Sequence, residues 1–329
     1  MRRLAALLLR PGLRGKSRMN INPAGPLPAA IVERGEYRTA PAYPGYPARP
    51  FPPVLSMRRL LAALLLSSCT LPAVAAESYD ACVGFIDTLP VTISTQGNWC
   101  LRKDLATAVV TGAAITINAN NVTIDCNGFK IGGLAAGASS TAIGIQTEKL
   151  NATVRNCAIR GFYIGISAWG SGHLVEDNRI DQSLVTGISV SGDGNLVQRN
   201  RIFDTGTAHG QAKAIWAAAD IRDNTIDGVM GHVIAGIWAD GWGSEVRGNR
   251  VRGLVPDAEG ISQGIKGRDG QQSIIDNKVL GGTSGALLGA GITASGELAF
   301  CRDNLIANFT GGMIGCDDNG GNVIHGTPE

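Results

Sequence analysis

Val175-Glu176-Asp177-Asn178-Arg179-Ile180, Val197-Gln198-Arg199-Asn200-Arg201-Ile202, Ile221-Arg222-Asp223-Asn224-Thr225-Ile226, Val246-Arg247-Gly248-Asn249-Arg250-Val251 and Ile274-Ile275-Asp276-Asn277-Lys278-Val279 repeat one phrase. An aliphatic residue leads, two variable residues follow, then Asn, one residue and a second aliphatic. Aligned on it, the Asn column runs Asn127, Cys157, Asn178, Asn200, Asn224, Asn249, Asn277, Asn304, in steps of 30, 21, 22, 24, 25, 28 and 27 residues. A unit of that length with short apolar strands cannot bury its own apolar face. It has to stack on copies of itself.

A second phrase follows each Asn: Gly165-Ile166, Gly187-Ile188, Ala214-Ile215, Gly236-Ile237, Gly264-Ile265 and Gly291-Ile292. From that Ile to the next coil's first aliphatic position there are nine residues in five cases and six in the Ile215 coil. From Asn to the Gly-Ile phrase the length varies between 8 and 15 residues. One side of the repeat is held to length and the other carries insertions, which in a solenoid lie on one face. The expected coil is two or three short parallel strands separated by turns, with inward Val and Ile stacked at about 4.8 Å. The Asn column (Asn127, Asn178, Asn200, Asn224, Asn249, Asn277, Asn304) is expected to be structural. Asn tolerates left-handed backbone at a turn, and its amide can bond its neighbours in adjacent coils to form a ladder.

Composition divides the chain near residue 76. Residues 1–76 hold 11 of the 29 Lys and Arg and 11 of the 14 Pro, whereas residues 77–329 hold 40 of the 45 Gly. The latter part has 18 basic and 25 acidic side chains, a net of −7, which argues against nucleic acid as a partner. It has no run of 18 apolar residues, so no membrane-spanning helix is expected. Residues 57–76 read as a secretory signal: Arg58 and Arg59, the apolar run Leu60 to Leu66, and Ala73-Val74-Ala75 as cleavage site. Export to the periplasm or outside the cell is expected, with lipid anchoring through Cys69 of Leu66-Ser67-Ser68-Cys69 as the alternative. Residues 1–56, Pro- and Arg-rich and without strand or helix period, read as a disordered extension upstream of the signal, owed to a mis-assigned start codon with translation beginning at Met57.

Once the signal is removed, six of seven cysteines remain: Cys82, Cys100, Cys126, Cys157, Cys301 and Cys316. An even count in an exported chain argues for disulfides. Of the 15 possible pairings, proximity along the chain and across coils favours Cys82–Cys100, Cys126–Cys157 and Cys301–Cys316. No Cys-x-x-Cys occurs and His is scarce, so no zinc site is expected.

These repeats resemble those of right-handed parallel β-helix proteins, the pectate-lyase-like superfamily and the many secreted bacterial proteins built on the same coil. The resemblance covers about Ile115 to Ile324. Leu89 to Leu105, with Trp99 and Cys100, is similar to the first-coil segment of such proteins. The resemblance implies an all-β, right-handed, single-stranded parallel β-helix of about eight coils over residues 113–329. It also implies an N-terminal cap and first coil over 77–112, closing an otherwise open sheet edge.

The fold says little about reaction. The residue after each Gly-Ile should point outward, giving the column Ser167, Ser189, Trp216, Trp238, Lys266, Thr293. Two Trp followed by Lys, with Asp240, Trp242, Arg268 and Asp269 in nearby turns, suit a polysaccharide laid along the stack; the bland alternative is that the Trp pack beneath long loops. A second outward column is Arg179, Arg201, Thr225, Arg250, Lys278, with Asp177, Asp223, Asp276 and Asp303 before the Asn, and reads as a solvated face with weak ion pairs. His209 and His232 lie in the variable loops, where a histidine can act as acid or base. Asp317-Asp318-Asn319 offers oxygen ligands to calcium without a recognised loop spacing, so no cofactor is assigned.

Polygalacturonase-like enzymes carry paired aspartates, a Gly-His-Gly and an Arg-x-Lys in order along the stack; here Asp317-Asp318 fall after His209-Gly210 and no matching triplet exists. Pectate-lyase chemistry needs a cationic base and usually calcium; Lys266 or Arg268 with Asp240 and Asp269 has the residue types for such a set, but nothing in the spacing singles it out. No catalytic residue is assigned. The expectation is an exported protein that binds or processes polysaccharide along the Trp/Lys face, or else a non-catalytic cell-surface β-helix.

Overall fold

The computed structural model describes residues 79–207, 210–268, 270–282, 288–295 and 299–326. The segments 1–56 and 57–76, Cys69, His209 and Asp269 lie outside the described residues.

The described chain is a parallel β-solenoid with almost no helix. One sheet has eleven strands in strict chain order, one per coil, from Gly84–Ile86 through Val122–Asp125, Leu174–Glu176 and Ser273–Ile275 to Asp317–Asp318. Eight of these precede the positions of the Asn column; two further rungs lie before them and one after. The other strands form two parallel files that merge where Thr225–Ala239 and Arg250–Arg268 run unbroken through both. The merger falls in the Asn224 and Asn249 coils, whose Asn-to-Gly-Ile segments of 12 and 15 residues are taken into the strands, whereas the 14-residue segment after Asn200 leaves Arg201–Gly206 and Gln211–Ala217 as separate strands.

The core follows from the register. Ile166, Ile188, Ile215, Ile237, Ile265 and Ile292 pair in succession and are fully buried. Each contributes roughly 1.5–3 kcal/mol of burial. The Gly before five of these six Ile has a steric reason, Ala214 being the exception. A Cβ built on Gly165 would lie 2.6 Å from the Gly187 carbonyl oxygen, and one on Gly187 2.6 Å from that of Ala214.

At the adjacent corner the asparagines form a ladder. The Asn200 Oδ1 accepts both the backbone N–H (3.1 Å) and the Nδ2–H (3.0 Å) of Asn178. The same pair of bonds repeats from Asn200 to Asn224, Asn249, Asn277, Asn304 and on to Asn322. Two details differ from the sequence reading. The left-handed residue is the one before the ladder Asn (Asp177 φ 55°, Arg199 φ 53°, Asp223 φ 55°, Asp276 φ 55°), because the Asn backbone N–H must itself lie along the stack to donate. Asn127, itself left-handed at φ 50°, stands outside the ladder: it is separated from Asn178 by Cys157 and bonds the Asp125 carboxylate and the Leu101 carbonyl instead. Asn322 extends the ladder by a rung; its second half-phrase, Asn322-Val323-Ile324, was present in the sequence without the leading aliphatic.

Disulfides join Cys82 to Cys100, Cys126 to Cys157 and Cys301 to Cys316. The middle one stands where the Asn column breaks. The Cys157 N–H donates to Asn178 Oδ1 at 3.0 Å, so the ladder ends on a covalent link between coils.

Candidate functional site

Strands Gln211–Ala217, Thr225–Ala239 and Arg250–Arg268 occupy three successive coils, and their register aligns Trp216, Trp238 and Lys266 in one outward file. Ser189 precedes them and Thr293 follows. Ser167 and Ser189 are buried although their parity is outward, since a hydroxymethyl group is too short to clear its neighbours. Trp216 keeps 39% of its surface exposed, and Trp238 and Lys266 are half-buried.

Asp240 organises the pair. Its Oδ2 accepts the indole N–H of Trp216 at 2.5 Å and its Oδ1 that of Trp238 at 2.6 Å. One carboxylate thus fixes the edges of two rings in adjacent coils, and hydrogen bonds to a charged acceptor contribute about 1.5–3 kcal/mol each. Two ammonium groups lie against the ring faces: Lys266 Nζ is 3.9 Å from the Trp238 centroid, and Lys213 Nζ is 4.8 Å from Trp238 and 5.0 Å from Trp216. The rings are therefore not a bare platform but part of a Trp–Lys–Asp cluster. Burial pushes the Lys213 ammonium below the ordinary lysine range; the Asp240 carboxylate opposes that shift and Lys266 adds to it.

Lys213 was missed in the sequence. Its signal was a charge inside the small-residue run Ala212-Lys213-Ala214-Ile215, three residues before a Trp. Trp242 sits on the turn after Asp240 and is 71% exposed. With Asp240 it borders a groove of about 430 Å³. Arg268 ends its strand and pairs in register with Ser295 of the next coil.

The other candidates lie apart from this cluster. The His232 imidazole Nδ1 meets both oxygens of the Asp257 carboxylate at 2.9 and 3.1 Å, on the extended strands. Arg179, Arg201, Thr225, Arg250 and Lys278 align in one file. Arg179 and Arg201 rest on the Phe203 ring at 4.9 and 5.7 Å. The ion pair nearest to the expected kind is Arg199 with Asp177 at 2.8 Å, which holds that carboxyl below its usual range. The Asp318 carboxylate accepts from the Gly320 N–H and the Asn322 amide at 2.9 and 2.6 Å, and those bonds hold it below the usual carboxylate range. No group of three His, Cys, Asp or Glu placed to hold a metal occurs among the described residues.

The stacked parallel strands and their inward files make the described chain a right-handed parallel β-solenoid. The family model described as "Right handed beta helix region" matches residues 103–251. No curated protein matches the sequence. Among solved structures, the Dettilon tailspike protein (gp208) is similar at 14% identity and a TM-score of 0.43, over 74% of this chain and 60% of that one. The tailspike of E. coli bacteriophage HK620 in complex with a pentasaccharide is similar at 12% identity and a TM-score of 0.45, over 81% of this chain and 62% of that one. The chain spans about three fifths of the length of these tailspikes.

Proposed function

We propose that this β-helix protein binds polysaccharide along the face made by Trp216, Trp238, Asp240, Lys266 and Lys213. The supporting observation is the double indole clamp on Asp240. Aromatic rings held rigidly by their edges keep part of their surface open without conformational freedom to lose on binding, and the lysines supply donors to sugar oxygens. The cations rule the face toward glycans with oxygen-rich or anionic repeats. No reaction is assigned.

Three disulfides among the described residues favour an oxidising compartment, and with residues 57–76 as signal the protein is exported.

The test is retention of the full chain in native gels cast with neutral or uronate polysaccharides. Reducing ends and unsaturated-sugar absorbance are followed with and without calcium. Retention that falls at least tenfold in Trp238→Ala supports the reading. Retention unchanged by that substitution, or none on any polymer, rejects it and leaves a structural role at the cell surface.

A further inference from the structure

The coil of Ile215 is three residues short. From Ile215 to Ile221 there are six residues, where the coils on either side use nine (Ile188 to Val197, Ile237 to Val246). In the structure the whole deficit falls at one corner. Residues 192–195 and 240–244 make the flanking turns, and between them residues 218–219 alone connect strand Gln211–Ala217 to strand Asp220–Arg222. Strands on both sides stay in register, so the shortened corner is cut back while its neighbours overhang it. The result is the groove of about 430 Å³, with Ala218 at its floor, Asp193 on one lip and Asp240 and Trp242 on the other. That volume is at the small end for ligand sites, which run from about 300 to 1,000 Å³.

The groove's chemistry differs from that of the lysine-flanked face. Asp220, also lining it, is neutralised by Arg222 at 2.6 Å and accepts the Glu245 N–H at 3.0 Å. Asp193 and Asp240 line it too; each Asp240 oxygen already accepts one indole N–H and keeps a second lone pair for a further donor. Trp242 adds a largely exposed ring. Acceptors beside an aromatic face suit a ring with hydroxyl donors and an apolar C–H face; a second carboxylate brought in would meet like charge.

We propose that this notch is a subsite for one uncharged pyranose residue, stacked on Trp242 with its hydroxyls donating to Asp193 and Asp240. The inference rests on the polysaccharide reading above and deepens it. Asp240 serves both places, locking the Trp216–Trp238 pair on one side and bordering the notch on the other, so the bound chain would turn the corner from the face into the notch.

The experiment titrates the full chain calorimetrically with neutral hexasaccharides (β-glucan, β-mannan and β-galactan series) and with hexagalacturonate. The variants are Trp242→Ala, Trp238→Ala and a Gly-Ser-Gly insertion between residues 218 and 219 that restores the corner to the length of its neighbours. At least one neutral hexasaccharide should bind, and Trp242→Ala and the insertion should each weaken it tenfold or more. Near-UV circular dichroism checks the insertion, and if it unfolds, the exposed Trp242→Ala decides. Weakening by Trp238→Ala with no effect from either notch variant overturns the notch and leaves the face. Weakening by the notch variants alone keeps the notch and rejects the face. Notch-dependent binding of hexagalacturonate as tight as any neutral ligand, or no neutral binding at all, overturns the assignment.

Discussion

Asn224 sits fully inside the ladder. Its Oδ1 accepts two bonds from Asn200, and its Nδ2 donates to the Val197 carbonyl and to Asn249 Oδ1. Asn224→Ala leaves buried donors and an acceptor without partners, and should cost at least about 1–3 kcal/mol by urea denaturation. Asn127→Ala, outside the ladder, should cost less. His173 offers a pH test. It is buried, its Nδ1 accepts the Ala152 N–H at 3.2 Å, and burial holds its pKa below the ordinary 6.5. The fold thus prefers the neutral ring. The unfolded chain takes up a proton below about pH 6.5, so this contribution is complete above that pH and is lost as pH falls towards the folded value. Denaturation midpoints at pH 7.5 and 5.0 should differ for the wild type, and the difference should shrink in His173→Gln. Asp177, whose pKa is lowered by Arg199, acts in the same direction in a lower window, below about pH 4.

At the scale of elements, the coils were legible because inward aliphatics and the Asn column recur at nearly constant spacing, and each recurrence maps to one rung. The left-handed position was placed one residue late. Sequence preference marks Asn as the residue that tolerates it, but the ladder reserves the Asn backbone for stacking and moves the strain to Asp177 and its equivalents. The final rungs were less legible because their phrases are incomplete, yet they are tied by Cys301–Cys316 over a separation of 15 residues. Replacing both cysteines by Ser should lower stability by about 3 kcal/mol on the loop-entropy scale. Thermal unfolding with and without reductant would check it, the reductant having less effect on the variant.

At the scale of the molecule, the acidic balance of residues 77–329 predicts no affinity for duplex DNA. A mobility-shift titration of the full chain treated to remove residues 1–76 should show no complex at 100 mM salt, and a complex with steep salt dependence would contradict the charge argument. Repetition along the chain determined the solenoid, its inward files and the alignment of Trp216, Trp238 and Lys266, because each is a consequence of period. Only the tertiary structure decided that Lys213 lies against both rings, that Asp240 reaches both indoles, and that three missing residues open a groove instead of being absorbed by the strands. Those outcomes depend on how far side chains reach between stacked coils and on the relative heights of neighbouring turns, distances that the order of residues along one coil does not contain.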